Sequence, residues 1–296
     1  LPTPPVIIGE NYCQYPFQAK SVINISGMSY GAISAPAVRA LSLGAAQAGC
    51  WLNTGEGGLS AYHREGNCDI IMQIGTAKYG VRDGEGNFSP TRTKAIAEFV
   101  KAFEIKLSQG AKPGKGGVLL GAKVNPEIAA IRGIPQYEDS ISPNRHYDIR
   151  NINELLDKVA YIRELTGKPV GVKTAIGGWH FMNELCETIL RRGLDYAPDF
   201  LTIDGGEGGS GAAPQTLMDH AGLPIAEALP RVVDSLIESD LKKRIRVIAA
   251  GKLVTSAHGA WALCVGADFI NSARGFMFSL GCIQAMRCHL NTCPTG

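Results

Sequence analysis

The sequence predicts a (β/α)8 barrel, and three observations carry that prediction. Eight short apolar runs are bounded by turn residues, several nearly continuous as buried parallel strands are, and helical patterns lie between most of them. Glycine-bearing segments follow five of the eight runs, where a barrel places its functional loops. The glycine fingerprint that an open dinucleotide-binding sheet carries after its first strand is absent.

In chain order the runs are SVINIS (21–26), CWLNT (50–54), IIMQI (70–74), FEIKLSQ (103–109), VGVKTAI (170–176), FLTID (200–204), IRVIAA (245–250) and FINSA (269–273). Two of the intervening helical patterns are explicit. Ile152, Leu155, Leu156, Val159 and Ile162 recur on one face of INELLDKVAYIREL, and Leu229, Val232, Val233, Leu236 and Ile237 do so in ALPRVVDSLIESDL. These residues are structural. Between Gly110 and Asn151 the only helical piece is PEIAAIRG, in a stretch too long for a passive connector. It carries Lys112, Lys115, Lys123, Arg145 and His146 and reads as a substrate lid or a partner surface.

Composition narrows the function classes. Hydrophobic residues make up 45% and charged residues 19%, and the formal net charge is +2 without a basic or acidic block, so no nucleic-acid or membrane-surface partner is expected. No run reaches the roughly 20 apolar residues of a membrane-spanning helix, and LPTPPVIIGENY lacks a signal peptide's pattern. Eight mostly solitary cysteines suit a reducing compartment, so a cytoplasmic location is expected. The chain begins without methionine, and residues upstream are expected. The 36 glycines, about 12% against a usual ~7%, gather in the loops SGMSYGAIS, GEGG, GAKPGKGG, GGEGGSGAAP and GKLVTS. Tight turns account for one or two such loops. Five on one rim point to a flat or phosphorylated cofactor against bare backbone.

A barrel commonly binds phosphate between the loops after its seventh and eighth strands. Gly251, Lys252, Ser272, Ala273, Arg274 and Gly275 occupy those positions, the alternative being that the two cations are solvated helix-flanking charges. Lys173 interrupts an otherwise apolar strand, so its ammonium must leave through the barrel mouth or meet an anion. It suits the anionic edge of a reduced flavin. A Schiff-base lysine is the rival, disfavoured by glycine loops that leave room for a tricyclic ring. The terminal GCIQAMRCHLNTCPTG (281–296) sets Cys282, Cys288 and Cys293 in a C-x5-C-x4-C run. Thiolates are the usual ligands of iron–sulfur clusters, whereas structural zinc takes four ligands; His289 as a fourth zinc ligand, and unligated thiols, are the alternatives.

The segments GMSYGAIS, NTGEGG, LSQGAKPGKGGVLLGAKV, ISPNRHYDI, VGVKTAIG, IDGGEGGSGAAP, AAGKLVTS and GCIQAMRCHLNTCPTG together resemble the FMN-binding synthase domain of glutamate synthase, almost from end to end. Within that family the chain looks most like the shorter, stand-alone FMN-binding proteins. The resemblance implies one FMN-binding barrel over residues 1–296, with a cluster-binding segment at 281–296 that follows the eighth strand and sets its cysteines at the beginning of the last barrel helix and beyond it. It implies that reduced FMN delivers a hydride to 2-iminoglutarate, formed from 2-oxoglutarate and ammonia or an amine, giving L-glutamate or an N-substituted glutamate. It also implies that Cys282, Cys288 and Cys293 ligate a three-iron four-sulfur cluster relaying electrons to the flavin. By the same resemblance the FMN contacts are Ser26, Gly27, Met28, Thr54, Gly55 and Gln73, with Lys173 near the ring. Gly205, Gly206, Gly251, Lys252, Ala273 and Arg274 are placed about the ribityl phosphate, and Gln109, Lys112 and Glu56 are the substrate-side candidates.

Two segments depart from the family pattern. Its usual KPGEGGQLPG becomes KPGKGGVLLG, with Lys115 for the acid, and SGHDGGTGASP becomes DGGEGGSGAAP, with Gly206 for the histidine and Glu207 for the aspartate. A changed substrate, a substituted amine or altered donor docking is the expected consequence. No glutaminase nucleophile or dinucleotide-binding domain is recognisable. Nitrogen is therefore expected as ammonia, an amine, or from a separate amidotransferase subunit, and electrons from ferredoxin or a reductase subunit. Family members continue past CPTG, so a longer parent chain is expected. The competing functions are a flavin-dependent isomerase or hydroxyacid oxidase, which needs no cysteine run, and a non-catalytic electron-transfer or scaffold subunit.

Overall fold

In the computed structural model, which describes residues 6–209, 213–214, 216–288 and 292–294, eight parallel strands close into a barrel. They are β1 (Ile23–Ile25), β2 (Trp51–Asn53), β3 (Asp69–Ile74), β4 (Ala102–Lys106), β5 (Val170–Thr174), β6 (Phe200–Asp204), β7 (Arg246–Ala250) and β8 (Phe269–Ser272). Each predicted run is therefore a strand, and most are shorter than their apolar run. The fourth ends at Lys106 rather than 109, because Ser108 and Gln109 already turn over the barrel mouth, where Ser108 Oγ accepts from the Ala175 amide at 2.8 Å.

The strands alternate. Leu52, Ile70, Met72, Phe103, Ile105, Val172, Leu201, Ile203, Val247 and Ile270 point outward onto the helix layer. Trp51, Ile71, Ala102, Phe200, Ile248 and Phe269 point inward and meet as one apolar layer at the barrel floor. Gly171 belongs to that layer by omission, since a Cβ there would lie 2.3 Å from the Phe200 ring. One repeat further towards the C-terminal ends, the inward positions turn polar: Asn53, Gln73, Glu104, Lys173, Thr202 and Asn271 are all buried. An antiparallel hairpin, Val6–Ile8 with Phe17–Ala19, plugs the floor with Ile8, Phe17 and Ala19.

The outer layer contains α1 (Ala35–Ala48), α2 (Ala61–Arg64), α3 (Pro90–Ala97), α5 (Ile152–Thr166), α6 (His180–Arg192), α7 (Ile225–Glu238), α8 (Ser256–Val265) and α9 (Arg274–Ser279); α4 (Pro126–Arg132) lies in the excursion after β4. The two explicit helical patterns fall on α5 and α7 and bury the expected faces. Ile237 is the exception, 58% exposed. The excursion holds more structure than sequence periodicity suggests. Besides α4 it contains a hairpin of Val118–Leu119 with Ser140–Ile141, two residues per strand and too short to show a period. The last helix, α9, ends at Ser279, so Cys282, Cys288 and Cys293 all follow it and none sits at its start. His289 and residues 210–212 of the glycine loop after β6 lie outside the described residues. Among the described residues no helix is long and apolar enough to cross a membrane.

At the floor, Asp199 is fully buried between Arg163 and Arg244, each 2.9 Å away, and also accepts the Val170 amide at 2.8 Å. Two guanidiniums balance one carboxylate, and their spare N–H groups reach the carbonyls of Leu194, Asp195 and Ala197. Removing the charge strands both cations. Asp199→Asn is expected to cost about 3–5 kcal/mol by urea denaturation, while ligand binding at the opposite end of the barrel stays unchanged.

Candidate active site

The C-terminal rim opens into a cavity of about 280 Å³. One wall comes from β1, β7 and β8 with their following loops: Ser26, Gly27 and Met28, then Gly251 and Lys252, then Ser272, Ala273 and Arg274. The facing wall comes from the β2 turn and the excursion after β4, with Glu56, Lys106, Gln109, Lys112, Val118 and Arg132. Gln73, Lys173, Asp204 and Asn271 form the floor between them.

The floor is set by charge balance. Lys173 Nζ lies 3.5 Å from Asp204, whose Oδ2 also accepts the Gly110 amide at 3.0 Å. Burial opposes the Lys173 charge, but Asp204, then Glu104 and Glu56, outweigh it and raise its pKa, so the ammonium persists. The strand lysine thus meets an anion, as its burial requires.

The facing wall is a cationic cluster with one acid. Lys106 Nζ is 3.3 Å from Glu56 and 3.0 Å from Gln109 Oε1. Burial opposes ionisation of Glu56, yet Lys106, Lys112 and Arg132 together hold it below the usual carboxylate range. Lys112 is buried, and no hydrogen bond or ion pair among the described residues engages its Nζ. Burial, reinforced by Lys106 and opposed by Glu56, pushes its pKa down. Arg132 is 5% exposed. Its two terminal nitrogens reach Ser140 Oγ at 3.3 Å and the Tyr30 carbonyl at 3.2 Å, with no carboxylate partner, and its Nε is left without an acceptor. With three cations around one acid, and neither Lys112 nor Arg132 in an ion pair among the described residues, the wall carries an excess of positive charge of the kind that suits a carboxylate or phosphate.

Most of the expected site residues meet here, with three placed elsewhere. Thr54 is buried below the surface, where its hydroxyl donates to the Gly55 carbonyl at 2.8 Å and accepts the Gln73 amide at 3.0 Å. Gly205 and Gly206 do not line the cavity. They allow loop to pack on loop: a Cβ on Gly110 would lie 1.7 Å from the Gly205 carbonyl oxygen, and one on Gly206 2.2 Å from that of Gly222. Part of the glycine clustering therefore serves backbone contact within the rim. Glu207 turns away from the cavity and accepts the Ile225 amide at 3.0 Å, at the positive N-terminal end of α7. Lys115 is exposed beyond the Glu56–Lys106 pair, on a small adjoining pocket. Of the departures from the family pattern, Val118 lines the mouth of the main cavity, and Asp204, which stands where the pattern has serine, lies on its floor beside Lys173.

Cys282, Cys288 and Cys293 all line the cavity. Among the described residues, however, no group of three or more His, Cys, Asp or Glu side chains is arranged to hold a metal ion. Lys123, from the excursion, ties this segment down by donating to the Cys288 carbonyl at 2.8 Å.

Sequence reasoning missed Asp204, Lys106, Arg132 and the interior Glu104. For the three strand residues a signal exists, since each is a polar residue at the every-second position that points inward. Arg132 has none. Its place depends on α4 folding back over the barrel mouth.

A family model described as "Conserved region in glutamate synthase" matches residues 3–296. The glutamate synthase large subunit-like protein YerD of Bacillus subtilis (strain 168) is 47% identical over 98% of this chain and 55% of its own length. An archaeal-type glutamate synthase [NADPH] of Thermotoga sp. (strain RQ2) is 37% identical over 93% of this chain and 51% of its own. The chain thus spans about half the length of these relatives. A mandelate oxidase structure holding an FMN monooxide adduct superposes with a TM-score of 0.52 at 16% identity, covering 92% of this chain and 70% of its own, a likeness of fold.

The depressed pKa of Lys112 has a testable sign. As pH rises, Lys112 loses its proton below the 10.5 of an ordinary lysine, so affinity for a small dicarboxylate such as glutarate should fall at a lower pH than unperturbed lysine would allow. Calorimetric titration across that range reads the effect. Lys112→Met should weaken binding at neutral pH roughly 10- to 100-fold and flatten the pH dependence.

Proposed function

The chain belongs to the glutamate synthase family, and from that we propose that it is an FMN-dependent oxidoreductase making L-glutamate, or an N-substituted glutamate, from 2-oxoglutarate and ammonia or an amine. The observation that carries the proposal is the pairing, in one cavity, of a glycine-bearing, cationic wall at β7 and β8 with Lys112 and Arg132, which are buried and make no ion pair among the described residues. In net terms the keto carbon condenses with the amine, water leaves, and the C=N bond takes up two electrons and two protons.

The residues present fit FMN. The backbone at Gly251 and Ser272–Arg274, with Lys252 and Arg274, suits a phosphate dianion. The Lys173 ammonium and the Gln73 amide suit the polar edge of a flat ring. FMN, when bound, supplies the two reducing equivalents. Lys112 and Arg132 hold the substrate carboxylates and orient the keto carbon. Lys106, spending two of its protons on Glu56 and Gln109, keeps the acid charged and the wall rigid.

We take residues 1–296 as one FMN-binding unit with 281–296 as its cluster segment. The three-iron four-sulfur cluster is supported by the C-x5-C-x4-C run and by the common position of its thiols on the cavity wall; as folded they do not form a ligand set, and no electron path is drawn through them. Ferredoxin or a reductase subunit is the proposed donor, with ammonia, an amine or a separate amidotransferase subunit as the nitrogen source. The sparse, scattered cysteines suit a cytoplasmic setting.

Anaerobic reconstitution with FMN, reduction, and addition of 2-oxoglutarate with ammonium should reoxidise the flavin as glutamate appears. Lys112→Met should raise the KM for 2-oxoglutarate roughly 10- to 100-fold. Failure to bind FMN would overturn the proposal. Bound FMN inert with both ammonia and methylamine would favour the scaffold reading. Iron and acid-labile sulfide near three and four per chain would support the cluster, and their absence after anaerobic iron–sulfur reconstitution would remove it.

A further inference from the structure

Glu104 takes no part in the anion-binding wall, yet its side chain accepts three hydrogen bonds inside the barrel. It is 1% exposed and stands at an inward position of β4. Its Oε1 accepts Asn53 Nδ2 at 2.9 Å and Gln73 Nε2 at 2.6 Å, and its Oε2 accepts Thr202 Oγ1 at 2.6 Å. A carboxylate accepts and does not donate, so both amides must turn their NH2 groups towards it. The oxygen of Asn53, facing the other way, is taken by the Gly55 amide at 3.0 Å. The oxygen of Gln73 accepts no hydrogen bond from any described residue, and Gln73 lines the cavity.

Resting on the FMN reading above, we propose that Glu104 is a positioning residue: it locks the Gln73 amide with its acceptor oxygen towards the cofactor, near the Lys173 ammonium, so that the floor selects a ring edge presenting an N–H donor beside a carbonyl acceptor. An uncharged amide at position 104 would no longer make that choice, because it can donate as well as accept. Gln73 would then be free to turn, at the cost of one oriented contact to the ligand. Thr202 braces the other carboxylate oxygen, makes no hydrogen bond to Gln73 and does not line the cavity.

The test uses Glu104→Gln, Gln73→Leu, the double variant and Thr202→Val, with FMN affinity from fluorescence quenching, the midpoint potential, and the imide N3 resonance of 15N-labelled FMN. Each single change at 104 or 73 should weaken FMN binding about tenfold and shift the N3 resonance. The double variant should bind no more weakly than either single, because both remove the same contact. Glu104→Gln should also raise the midpoint potential, since losing a nearby negative charge favours the flavin state that carries more of it. Thr202→Val should change affinity by less than about twofold. Additive losses in the double variant, or an N3 resonance unmoved by Gln73→Leu, overturn the proposal, and the Gln73→Leu result stands even if Glu104→Gln fails to fold. A wild-type chain that binds no FMN is a separate outcome, which removes the cofactor reading and this inference with it.

Discussion

Everything at the mouth of this barrel depends on burying an ammonium where the strands end. Lys173 is 6% exposed, and a charge so placed is tolerated only beside opposite charge and hydrogen-bond acceptors. Asp204 supplies the nearest of these from the adjacent strand, at 3.5 Å, and Glu104 adds to the balance from the strand on the other side. The pair raises the lysine's pKa instead of lowering it, so the floor of the cavity carries a fixed positive charge.

The same aspartate joins the floor to the rim. Its Oδ2 takes the amide of Gly110, at the start of the long excursion after β4, and Gly110 in turn lies against the Gly205 carbonyl with no room for a side chain. The Ala111 amide then donates to the Gly208 carbonyl at 2.6 Å. The loops after β4 and β6 are thereby pinned to each other, which fixes where Gln109, Lys112 and Arg132 stand relative to the barrel. His146 closes the far end of the excursion through a 2.9 Å contact between its Nε2 and the Lys106 carbonyl. The segment that reads in sequence as a lid or a partner surface supplies one wall of the cavity.

Two cationic groups of different character result. Lys252 and Arg274 stand with backbone amides at the β7 and β8 loops, the geometry that suits a phosphate. Lys112 and Arg132 are buried, make no ion pair among the described residues, share the charge of Glu56 with Lys106, and line the same space. The desolvation they suffer without a ligand is what gives an incoming carboxylate its advantage over water. The departures at Lys115 and Glu207 leave these groups in place, one being exposed outside the cavity and the other serving the start of α7.

The sequence by itself determined the strand order, the barrel class and much of the rim, because strand-helix alternation and glycine loops are local patterns read along one stretch of chain. Ser26, Gly27, Gly251, Lys252 and Arg274 were legible for that reason. The polar interior was legible in principle, since Asn53, Gln73, Glu104, Thr202 and Asn271 fall on the inward half of a two-residue alternation, but apolar neighbours mask the pattern in strands three to six residues long. Only the tertiary structure decided which glycines face a ligand and which face another loop, for a close backbone contact between Gly110 and Gly205 leaves no trace in either segment alone. It also decided the role of Arg132, which reaches the cavity because α4 folds back over the barrel mouth, a matter of long-range packing that no local period encodes.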